Sequence, residues 1–89
     1  MRYKTVKDVI EFVDSLKAND TADSQLQIHV NFYHEGVLVG EFVKNMYSGY
    51  TSKALIGEYL LDYFVTDFKI EIRDYCVAFI LSVKEPSSI

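Results

Sequence analysis

The chain has 89 residues, of which 49% are hydrophobic and 25% charged, with one Cys, one Pro and a formal net charge of −4. A chain of this size buries somewhat over half of its unfolded surface, enough for one core and too little for two, and its apolar content excludes disorder. It has no apolar run near the roughly 20 residues of a membrane span, no h-region after Met1-Arg2-Tyr3-Lys4, and no second cysteine to pair with Cys76, so a cytoplasmic protein that does not bind membranes is expected.

Thr5 stands where an N-cap accepts from the N–H of Asp8, and Asp8 stands where a capping box places its acid. A helix is expected from there. Val6, Val9, Ile10, Val13 and Leu16 recur at helical spacing with Phe12 beside them, while Lys7, Asp8, Glu11 and Asp14 take the other side. Residues 19–24, Asn-Asp-Thr-Ala-Asp-Ser, have no apolar period and read as a loop.

From Gln25 the period changes to two, with Leu26, Ile28, Val30 and Phe32 alternating with Gln27, His29, Asn31 and Tyr33. His34-Glu35-Gly36 supplies a three-residue turn, and Val37 to Val43 returns as the partner strand. That turn length sets Phe32 opposite Leu38, Val30 opposite Gly40, Ile28 opposite Phe42 and His29 opposite Glu41. A two-residue turn shifts the pairing by one and brings Glu41 to the core side opposite Val30, a costly placement unless a bulge relieves it.

After a connection containing Ser48-Gly49, Ser52 is placed to cap a second helix with Leu55, Ile56, Tyr59, Leu60 and Tyr63 as its apolar stripe, weakened at Gly57 by about 1 kcal/mol relative to Ala. Phe68, Ile70 and Ile72 then alternate with Lys69, Glu71 and Arg73, and a turn near Asp74 leads into Tyr75 to Val83. That last strand is apolar on both faces and belongs in the interior of the sheet. The order α-β-β-α-β-β points to a single α+β domain over 1–84, a four-stranded antiparallel sheet with two helices packed on one face, and a frayed tail over 85–89.

The helix-free face carries Tyr33, Val37, Val39, Val43, Cys76, Ala78 and Ile80 among polar residues, more apolar surface than an isolated monomer usually shows to water. The loop Met46-Tyr47-Ser48-Gly49-Tyr50 adds amphipathic contact area. Tyr33, Val37, Val39, Val43, Met46, Tyr47 and Tyr50 are therefore the candidate interface.

Chemistry has few candidates. His29, Glu41 and His34 fall one ligand short of a metal site, Cys76 sits in the most apolar strand and reads as a buried structural thiol, and Asp62 and Asp67 imply no pocket. Nucleotide-binding, zinc-protease and nucleophile-elbow motifs are absent, so no enzyme, cofactor or metal is expected. Seven Tyr and six Phe offer stacking surfaces for bases, but from Asp8 to Glu41 seven acids face the single base Lys17, which argues against direct nucleic-acid binding.

The expectation is a small acidic regulator that binds another protein and self-associates, with a dimer as the simplest form. The alternative uses Asp8, Glu11, Asp14, Asp20, Asp23 and Glu35 as a row of phosphate mimics that blocks a nucleic-acid-binding enzyme. In that role the chain resembles the acidic inhibitors of phages and mobile elements in size and charge, and in nothing more specific.

Overall fold

The computed structural model describes residues 4–16, 26–46, 53–74 and 76–88. Helix α1 (Val6–Ser15) starts with the expected capping box: the Asp8 N–H donates to Thr5 Oγ1 at 3.2 Å, and the Thr5 N–H donates to Asp8 Oδ2 at 3.0 Å. Its other end has no basic residue of its own. Lys44 reaches it from the sheet, its Nζ donating to the Asp14 carbonyl at 2.9 Å, which sets a cation on the negative end of the helix.

Among the described residues five strands follow: β1 (Gln27–His34), β2 (Val37–Asn45), β3 (Lys53–Leu55), β4 (Phe64–Ile72) and β5 (Cys76–Lys84). They form one sheet in the order β3-β2-β1-β5-β4. The class is α+β, but the sheet has five strands where four were expected, and it is mixed, because β1 and β5 run parallel at its centre. The interior place expected for the last strand is the one it takes.

The second expected helix does not form. Lys53–Leu55 pairs with the outer edge of β2 instead, and Glu58–Asp62 makes a short 3₁₀ turn. Gly57, the weakest helix former of the segment, lies at the junction, with the Tyr59 ring folded so closely over it that an added Cβ would come within 2.7 Å. The stripe residue Leu60 is nonetheless wholly buried. It rests on Gly40 of β2, where a Cβ would meet Leu60 Cδ2 at 2.9 Å, so the bare backbone of Gly40 is what admits this segment onto the sheet.

The β1–β2 hairpin corrects the expected register. Its turn has two residues, Glu35 at φ 51° and Gly36 at φ 79°, the positive values that a type I′ turn requires. Tyr33 pairs with Leu38 and Phe32 with Gly40, leaving Val39 as an extra, bulged residue. The bulge restores the alternation: Val30 meets Phe42, Asn31 meets Glu41 and His29 meets Val43, so Glu41 stays off the core side. A native right-handed strand twist matches the I′ turn better than the longer one, and one bulge removes the penalty that had disfavoured it.

The core lies between this sheet and the two segments covering one face. Val6 and Val13 of α1, Ile28, Val30 and Phe32 of β1, Phe42, Leu60, Leu81 and Val83 form its buried cluster. The chain entering α1 is fastened to the start of β4, with Val6 N–H donating to the Tyr63 carbonyl at 2.9 Å and Val65 N–H to the Lys4 carbonyl at 2.8 Å. Among the described residues, no helix is long and apolar enough to cross a membrane.

Candidate functional site

The open face of the sheet, opposite α1, is more polar than the sequence suggested. His29 Nε2 lies 3.0 Å from Gln27 Oε1, and Gln27 Nε2 donates to Asn45 Oδ1 at 2.8 Å, so these side chains satisfy one another across β1 and β2. Of the expected interface, Tyr33 and Val43 are on this face. The corrected register puts Val37, opposite His34, on the helix side, while Val39 and Met46 are partly buried and packed on the core. Tyr47 and Tyr50 lie outside the described residues. The expected set is therefore not brought together as one surface.

His29 and Glu41 share the open face but stand diagonally rather than directly opposite, His29 meeting Val43 and Glu41 meeting Asn31, and His34 projects to the opposite side of the sheet from His29. There His34 packs edge-to-face on Tyr63, with ring centroids 5.4 Å apart, and its Nε2 lies 3.8 Å from Glu85 Oε1. Burial, with Glu85 and Tyr59 adding to it, pushes the Tyr63 hydroxyl above its ordinary pKa. An open groove of about 640 Å³ lies beside this cluster, between Tyr33, the turn at Glu35-Gly36 and Ser82. No three His, Cys, Asp or Glu side chains among the described residues are grouped to hold a metal ion. Cys76 is half-buried on the open face beside Gln27, more accessible than a core thiol.

The acidic residues are engaged locally. Asp8 caps α1, Glu11 lies 4.0 Å from Lys7, and Asp14 lies 3.5 Å from Lys44. Glu35 is in the hairpin turn, on a different element, and Asp20 and Asp23 lie outside the described residues. Asp62 ends the 3₁₀ turn, while Asp67 Oδ1 accepts the Phe68 N–H at 2.8 Å.

The largest departure from ordinary surface chemistry is along β4, where Phe68, Ile70 and Ile72 alternate with charged residues. Phe68, Ile70 and Ile72 pair with Leu81, Phe79 and Val77 and share their face, the one on which α1 lies. The helix does not extend over them. Phe68 is 64% exposed, Ile70 49% and Ile72 83%, and Phe12 of α1 is 65% exposed. Phe68, Ile70 and Ile72 form an apolar flank along a sheet edge.

That edge has a defined backbone phase. Arg73 and Cys76 exchange N–H···O bonds across the β4–β5 turn, at 2.8 and 3.5 Å. In the antiparallel register that follows, Glu71 and Lys69 also bond inward to β5, and the intervening Ile72, Ile70 and Phe68 turn their N–H and C=O groups outward. The Phe68 N–H is the one that Asp67 covers. Outside β4, the described chain supplies only the segment around Thr5, opposite Phe64.

On the other face of β4, charges alternate. Glu71 lies between Arg73, whose Nη2 donates to it at 3.0 Å, and Lys69, at 3.8 Å. The Arg73 guanidinium is the main reason that the Glu71 carboxyl is held below its ordinary range, and the same contact raises the Arg73 pKa. No family model, curated protein or solved structure matches this chain.

Proposed function

We propose that this chain is a small non-enzymatic interaction module that works by binding protein, copies of itself included, through the apolar flank along β4. The observation that carries this reading is the combination of Phe68, Ile70 and Ile72, all exposed on one face, with a strand edge whose backbone groups are directed outward. Large apolar side chains grouped at an edge that no described strand pairs are a liability unless a partner covers them, and strand addition is a recurrent way for proteins to do so.

Size-exclusion chromatography with light scattering, over a range of protein and salt concentrations, tests the reading. The expected particle exceeds the 10.3 kDa of one chain and persists in high salt, because apolar burial is not screened. Ile72→Ser should shift it toward the monomer without changing the circular dichroism spectrum. A 10.3 kDa particle under every condition would overturn self-association, and an assembly indifferent to Ile72→Ser would remove the β4 flank as its interface.

A further inference from the structure

Residues 67–73 read Asp-Phe-Lys-Ile-Glu-Ile-Arg. Turned end for end about Ile70, the apolar positions fall on apolar positions and every charge falls on its opposite. Asp67 meets Arg73, Lys69 meets Glu71, Phe68 meets Ile72 and Ile70 meets itself. An antiparallel strand pair with a two-fold axis at its centre performs this reversal.

We infer that two copies of this chain join through their β4 edges, antiparallel and centred on Ile70, making one continuous sheet across a two-fold axis. The inference rests on the interaction reading above and names its partner and register. Three independent features of β4 agree on it. The outward-facing backbone groups belong to Phe68, Ile70 and Ile72. In the centred register these residues oppose one another as Phe68–Ile72, Ile70–Ile70 and Ile72–Phe68, so each pair exchanges two N–H···O bonds in phase.

On the helix side, the same register stacks the exposed Phe68, Ile70 and Ile72 of one copy on those of the other. On the open side, Lys69 faces Glu71 of the second copy and Asp67 faces Arg73, on both halves of the axis. Charges on an edge strand usually discourage addition of another strand. Here their order makes a second copy the matched partner and a shift by two residues a mismatched one, since that shift opposes like charges and is destabilising. Asp67, which occupies the Phe68 N–H in the single chain, releases it to the Ile72 carbonyl of the second copy and turns to Arg73.

Charge reversal tests the register. Lys69→Glu puts two acids opposite each other at both symmetric positions, and Glu71→Lys puts two bases there, so either variant alone should dimerise roughly tenfold more weakly than the native chain. Mixing the two variants restores attraction at both positions, and a heterodimer should form in preference to either homodimer, read by native mass spectrometry at low salt. Ile70→Cys in a Cys76→Ser background reads the register without any change of charge. Its Cα atoms should lie about 5.5 Å apart, within disulfide reach, whereas Ile72→Cys should not cross-link, its copies being about 13 Å apart along the strands. If the native chain assembles and Ile72→Ser disrupts it, but neither the mixture nor the Ile70→Cys chain gives the expected pair, this register is overturned and the interaction reading stands. If the native chain is monomeric throughout, both fall.

Discussion

Glu71 shows how much one side chain does at the sheet edge. Its carboxylate takes a hydrogen bond from Arg73 and lies near Lys69, and these two contacts outweigh the partial burial that acts in the other direction. The folded-state pKa is therefore below the ordinary value of 4.5, and the folded chain holds this proton less tightly than the unfolded one. Stability from Glu71 is accordingly complete above 4.5 and lost as the pH falls through the lowered folded value. Glu71→Gln should remove that part of the acid slope. Melting curves collected between about pH 6 and about pH 3 should show the native and variant chains converging as the medium becomes acid. Parallel curves would mean that the contact with Arg73 does not persist in solution.

At the scale of elements, α1 was legible because its signals are local: the Thr5–Asp8 reciprocal cap and the Val6, Val9, Ile10, Val13 stripe operate within a few residues. The period-two strands were legible for the same reason. The hairpin register was not, because it depends on a trade between turn geometry and a bulge at Val39, and only the assembled sheet decides which is cheaper. The lost second helix is a similar case. The outer edge of β2 accepts Lys53–Leu55, and the close seat of Leu60 on Gly40 substitutes for the stripe contacts that a helix would have made. The expected common face of Val37 and Val39 with Tyr33 went with the register, since both residues change sides when the pairing moves. The β4 flank was readable in the charge order of residues 67–73, yet its exposure depended on how far α1 reaches. The turn itself carries a test. Glu35 occupies a positive φ that suits Asn far better, so Glu35→Asn should stabilise the hairpin by a few tenths to about 1 kcal/mol, measured by urea denaturation. A loss of stability would mean that the Glu35 side chain makes a contact worth more than the backbone relief.

At the scale of the whole molecule, the apolar flank follows from proportion. A helix is about 10 Å wide, while five strands at about 4.8 Å spacing span roughly 20 Å, so α1 covers only part of one face. The segment around Leu60 covers the β2 side, and the β4 side is left. Leu81 and Phe68 then make a controlled comparison, since they pair directly and point the same way, but Leu81 is buried under the cover and Phe68 lies beyond it. Leu81→Ala removes core contacts and should cost about 2–5 kcal/mol at any protein concentration. Phe68→Thr keeps a residue suited to strands and removes only exposed surface, the surface that the proposed second copy would cover. Its effect should therefore appear through association: the native melting temperature rises with protein concentration, as for any assembly that binds only folded chains, and the variant's does not. At low concentration, where both are monomeric, the two melting temperatures should nearly coincide. A native melting temperature independent of concentration, with Phe68→Thr as damaging as Leu81→Ala, would instead place Phe68 in the core and leave the β4 edge without an interface.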